Sequence, residues 1–282
     1  VSSQEILATV SSQQHEADQK IRTAPLLQNI LAQNNDIYAP SMGALTEIIV
    51  SAKNEFLMNL QYQHPSQEQI LKKAFTSFCK EGLKAYAANI TNKPYYVDKN
   101  FSWGYFYDYL VQINNEDPKI IFMVRDLRDI FASFEKNYRN DFLKINSHIN
   151  WNELKNTTME KRIVEWSTKP PLALNLERLK EIINWGNDSK MLFIKYEEFC
   201  ISPESEIKRI YDFLEIPYFL HDFKSVEKTT IENDMLHFAS HKIKSKVSVN
   251  ETKAEEIIGK EACNWIYKNH QWYFKKFNYA IC

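Results

Sequence analysis

Residues 119–124, KIIFMV, run with almost no polar side chain and stop abruptly at Arg125-Asp126. A strand of this composition has no face to offer to water. Both its faces must be covered, which places it in a parallel sheet between layers of helices. Shorter runs of the same kind stand at 95–97 (YYV) and 191–194 (MLFI). Between them the apolar residues change to a helical period. Ile70, Leu71, Ala74, Phe75, Phe78, Leu83 and Tyr86 stripe residues 67–88. Residues 101–113 and 129–138 read as helices, and Leu172, Leu176, Leu179 and Ile183 mark another. Ser202 offers an N-cap with Pro203 at the first helical position, ahead of Ile207, Ile210, Tyr211 and Leu214. A Trp- and Tyr-rich helical tail covers 255–277. Strands alternating with helices predict a single α/β domain with a central parallel sheet flanked by helices.

The domain is taken as residues 25–282. The segment 1–24 is polar and left unassigned, except that 6–10 has the makings of a short strand. Formal net charge is -1, so no global field draws nucleic acid, and an anion site has to come from local basic residues. Cys79, Cys200, Cys263 and Cys282 form no CxxC pair, which points to reduced thiols in a cytoplasmic protein rather than to disulfides or zinc. No apolar run is long enough to span a bilayer, and the first residues do not read as a signal peptide. The oligomeric state is not legible.

Open parallel sheets bind ligands beyond the carboxyl ends of their strands, which directs attention to the residues just after Val97, Val124 and Ile194. After Val124, Arg125 closes the strand and Ser133 lies eight residues on, in the next helix. A guanidinium and a hydroxyl at a helix start suit a phosphate. Arg125 could equally pair only with Asp126 or Asp129. Lys99 comes after the strand 95–97, where it could serve a site or pair with Asp98. Tyr196 closes the strand 191–194 as either a flat face for a base or a core residue. Residues 240–246 (SHKIKSK) form a basic stretch with no helical stripe, readable as a phosphate loop or as a solvated charge run.

Three segments, taken in order, resemble the sulfotransferase family that uses the sulfuryl donor PAPS, nearest to its bacterial and phage-type members. IIFMVRDLRDIFASF is similar to the segment binding the 3′-phosphate, YYVDKNFSW to the strand delivering a catalytic lysine, and MLFIKYEEFCISPESEIKRIYDFLEIPY to the Tyr-Glu-Asp segment and its helix. The resemblance implies a P-loop-like sheet, PAPS as donor, PAP as product, an acceptor hydroxyl or amine, and no metal. It implies phosphate contacts from Arg125, Ser133 and Lys244, adenine stacking on Tyr196, and Lys99 on the leaving oxygen. The general base matches no motif. Glu47 and His241 are candidates beside the blander reading of each as a surface side chain.

The resemblance fails at one place. Family members carry a Gly-, Ser- and Thr-containing loop that cradles the 5′-phosphosulfate with backbone N–H groups. The corresponding residues 20–27 (KIRTAPLL) hold no glycine, and Pro25 lacks an N–H. A non-catalytic PAP- or PAPS-binding relative therefore stands as the alternative. A nucleoside-phosphate kinase is the remote one, since it depends still more on such a loop.

Overall fold

The computed structural model describes residues 5–12, 23–40, 43, 45–141, 157–227, 247–248 and 253–280. Five parallel strands form its sheet: β1 (Glu5–Ser12), β2 (Ile37–Tyr38), β3 (Tyr95–Asp98), β4 (Ile120–Val124) and β5 (Leu192–Lys195). Their order is β2-β3-β1-β4-β5. The expected strands at 95–97, 119–124 and 191–194 are present within a residue or so. The segment EILATVSS supplies the middle strand, longer than the 6–10 segment read from sequence.

The alternation along β4 explains why its sequence is apolar throughout. Ile120, Phe122 and Val124 face one core and Ile121 and Met123 the other. On the first side pack α2 (Leu45–Leu60), α3 (Glu68–Ile90), α4 (Tyr107–Asn114), α5 (Leu127–Asp141), α6 (Met159–Thr168), α7 (Leu172–Asn184), α10 (Ala254–Asn269) and α11 (Gln271–Lys276). On the second lie α1 (Thr23–Leu31), α8 (Tyr196–Ile201) and α9 (Pro203–Leu214).

Two local expectations are refined. The helix read over 101–113 is a 3-10 turn, Phe101–Trp103, with α4 after it. The break falls at Gly104, where a Cβ would come within 2.4 Å of the Phe122 ring, so only a glycine fits this close to β4. Pro203 occupies the first turn of α9 as expected, whereas the Ser202 side chain makes no capping bond. Among the described residues no helix is long and apolar enough to cross a membrane.

The connections fix where a ligand can sit. From β1 the chain runs through α1 to β2 at one edge, then returns to β3 beside β1. From β3 it crosses to β4 on the other side of β1. The carboxyl end of β1 is thus a switch point, with the end of β4 beside it and β3 ending level with Thr9.

Candidate active site

At the end of β3, strand alternation sends Asp98 inward and leaves Lys99 half-buried at the rim. The Asp98 carboxyl is fully buried and accepts a 2.6 Å hydrogen bond from Trp103 Nε1. Among the described residues its Oδ1 has no hydrogen-bond partner, and it lies against Gly43, where an added Cβ would be 1.6 Å away. The Gly43 N–H donates to the Lys99 carbonyl at 3.1 Å, so the residue that makes room for Asp98 also pins the backbone of Lys99. Burial pushes the Asp98 carboxyl up to about 7, the Trp103 bond lowers it, and the nearby Glu47 raises it further. Asn100 caps the next turn through Ser102 N and donates its Nδ2 to Glu47 Oε1 at 2.7 Å. Glu47, exposed in the first turn of α2, is therefore bonded to the residue that follows Lys99 in the chain.

At the end of β4, Arg125 is only 5% exposed. Tyr273 from α11 clamps its backbone, donating its hydroxyl to the Arg125 carbonyl at 2.8 Å and accepting from the Arg125 N–H at 3.3 Å. The guanidinium lies over the Tyr196 ring, 4.9 Å from its centre. Among the described residues its ion pair is with Asp129, at 3.8 Å, and its buried Nε has no hydrogen-bond partner. Asp126 is instead taken by Arg128, through Nε at 2.9 Å and Nη2 at 2.5 Å. Ser133 is partly exposed on α5, one turn beyond Asp129 and on the same face.

At the end of β5, Tyr196 opens α8, half-buried, with its hydroxyl pushed up by burial. Glu197 ties the ends of β4 and β5 together. Its Oε1 accepts from Asp126 N at 3.0 Å and its Oε2 from the Tyr279 hydroxyl at 3.0 Å.

The structure thus brings Arg125, Tyr196 and the Ser133 face of α5 to one corner, and Lys99 with Glu47 to the other side of β1. Asp98 and Ile120 are both level with Thr9 of β1. At about 3.3 Å per residue, Arg125 stands about 13 Å beyond Lys99 along the strands, with two strand spacings, about 10 Å, between them. Lys244 and His241 lie outside the described residues, as do residues 13–22 of the β1–α1 connection. Sequence reading assigned no role to Gly43, Tyr273 and Glu197, and offered Asp98 only as a possible partner of Lys99. The glycine against a buried acid was the one available signal, and it becomes one only when 43 and 98 are known to touch.

The model of the Sulfotransferase domain family matches residues 47–272, which include Glu47, Lys99, Arg125, Ser133 and Tyr196. Comparison with curated protein sequences gives no match. Among solved structures, sulfotransferase STF9 from Mycobacterium avium is similar over 100% of this chain and 79% of its own, with 16% identity and a TM-score of 0.51. The sulfotransferase domain from the curacin biosynthetic pathway shares 13% identity over 99% of each chain, with a TM-score of 0.48. Retinol dehydratase, solved with retinol and PAP, shares 17% identity over 75% of this chain and 60% of its own, with a TM-score of 0.36.

Proposed function

The chain belongs to the sulfotransferase family, and from that premise we propose that it moves a sulfuryl group from PAPS to an acceptor hydroxyl or amine. The observation that carries this reading is the orphaned, buried Nε of Arg125 at the carboxyl edge of the sheet. A guanidinium 5% exposed with an unused donor is costly unless an anion completes it. A phosphate at that corner suits Arg125 and the Ser133 hydroxyl, with a flat base resting near Tyr196.

The sulfuryl end then lies toward Lys99. The acceptor atom attacks sulfur in line as the bond to the bridging oxygen breaks, and that electron pair goes to the leaving phosphate. An ammonium near that oxygen meets a charge that is small before transfer and large during it. The acceptor proton must leave, and Glu47, exposed and held by Asn100, is the candidate to take it, the neighbouring Asp98 carboxyl being buried.

Lys99→Ala should lower kcat by on the order of a hundredfold with a much smaller change in donor KM. Lys99→Arg should recover little, because a wide planar cation does not occupy the same point. A raised KM at constant kcat would instead mark Lys99 as a binding contact. For Arg125→Ala, calorimetry should show PAP binding weakened by roughly tenfold to a hundredfold. Adenosine 5′-phosphosulfate, which lacks the 3′-phosphate, should be much less affected. Equal weakening of both ligands removes Arg125 from the 3′-phosphate.

A second reading keeps the nucleotide and drops the transfer. It is favoured by the absence of any glycine before Gly43, in the region where relatives carry a phosphate loop. Tight PAP binding with no sulfuryl transfer across a panel of phenols, alcohols and amines would select it.

A further inference from the structure

Among the described residues, Arg125 is less fully paired with a carboxylate than Arg162 or Arg128. Arg162 grips Glu135 twice, at 2.9 and 2.6 Å, and Arg128 grips Asp126 through Nε and Nη2. Arg125 reaches Asp129 at 3.8 Å, while its buried Nε has no hydrogen-bond partner among the described residues. The arginine itself is not loose. Its backbone is clamped by Tyr273 and its guanidinium rests over Tyr196. Asp129 sits on the first turn of α5, one turn before Ser133, so whatever anion uses Arg125 and Ser133 together must enter the space Asp129 borders.

We propose that Asp129 is the resident counter-ion of Arg125, and that a bound nucleotide's phosphate displaces it, so that nucleotide binding is coupled to the protonation of Asp129. This rests on the reading of Arg125 as a phosphate contact. A carboxylate and a phosphate dianion cannot both be charged against one guanidinium without strong repulsion. The cheapest outcome is a neutral Asp129, still able to donate a hydrogen bond.

The surroundings make that outcome accessible. Burial raises the Asp129 carboxyl to about 6. Arg125 at the end of β4 and Arg128 on α5 pull it down, while Asp126 and Glu197 of α8 push it up. An arriving phosphate adds negative charge and raises it again. A group whose proton affinity rises on binding takes up a proton, so this contribution favours binding at low pH and is lost as pH rises through about 6. By pH 7 the penalty for protonating Asp129 is about tenfold in affinity, and it grows about tenfold for each further pH unit until the bound-state value is passed.

The test is calorimetric titration of PAP into the full chain and into Asp129→Asn at pH 5.5 and 7.5. Each titration is run in two buffers of different ionisation enthalpy. PAP's own phosphates titrate identically in both proteins and cancel in the ratio. The variant should bind PAP about as tightly as wild type at pH 5.5 and at least about tenfold more tightly at pH 7.5. Wild type should take up more protons at the higher pH than the variant does. Asp129→Ser serves in its place if Asn prevents folding. A ratio that does not change with pH, with equal proton counts, overturns the coupling. So does weaker binding by the variant at both pH values, which makes Asp129 an orienting partner only. Failure of wild type to bind PAP at all sinks the nucleotide reading itself, and this inference with it.

Discussion

Glu135→Ala is expected to lower the unfolding free energy by about 3–5 kcal/mol in urea titration, the largest single-site effect on stability anticipated for this chain. Glu135 is fully buried and holds α5, α6 and α10 together. Its two oxygens accept from Arg162 Nε and Nη2 at 2.9 and 2.6 Å, and Arg139 Nε adds a third bond at 2.7 Å. Arg162 also donates to the Thr157 carbonyl at 2.6 Å, and Arg139 to that of Ile257 at 3.1 Å. Removing the carboxylate leaves Arg162 charged, buried and without its counter-ion. Much of the loss is the penalty on that stranded charge. The double variant Glu135→Leu/Arg162→Met should therefore recover most of it, since an apolar replacement of a whole buried pair is often near neutral. A single-variant loss under about 1 kcal/mol would mean that water reaches Arg162 and that the triad is not a structural tie.

Wild type and Asp98→Asn should diverge in stability by about 3 kcal/mol between pH 5 and pH 8, with the variant favoured at the higher pH. The direction of the shift sets the sign. The folded carboxyl titrates at about 7, raised by burial, whereas the unfolded one titrates near the ordinary value of about 3.9. Below the unfolded value both states are protonated and the contribution of the neutral acid is fully present. As pH rises, the unfolded chain ionises first and gains, and the folded state loses relative stability until Asp98 itself ionises at about 7. Asparagine keeps the acceptor for Trp103 and has no such titration. Paired urea titrations at the two pH values read the effect, and parallel behaviour of the two proteins would show that Asp98 is ionised in the fold. The functional consequence lies next door. While Asp98 is neutral, the residue before Lys99 brings no negative charge to the corner where an ammonium is needed.

The two effects have the same origin as the site itself, which is charge moved into places where water cannot go. Glu135 is compensated by two arginines and is structural. Asp98 is compensated by one N–H and by protonation. Arg125 is compensated by half an ion pair, and that shortfall is what makes it a candidate for a ligand.

Much of the fold was legible in the sequence because the evidence for it is local. An unbroken apolar run such as 119–124 has to be covered on both faces, and a 3.6-residue stripe has to be a helix against a core. Both are set by the side chains of a few neighbouring residues. The position of Arg125 was legible for the same reason, since a residue ending a buried strand is placed at the sheet edge by the strand alone, whereas the register sets Lys99 level with Ile121, well short of that edge. The tertiary structure decided what depends on distant partners. The middle strand, EILATVSS, was legible only as a possible short strand over 6–10, and its full length and central place come from pairing with β3 and β4 on either side. Asp98 looked like a partner for Lys99, but alternation turns it inward against Trp103 and against Gly43, which is far away in the chain. Whether Arg125 would pair with Asp126 or Asp129 was open in the sequence. The fold decided it by giving Asp126 to Arg128 and Glu197, leaving Arg125 with one distant oxygen and an unused donor. Local patterns report which face of an element is apolar; desolvation and charge pairing depend on which elements meet, and only the packed molecule specifies that.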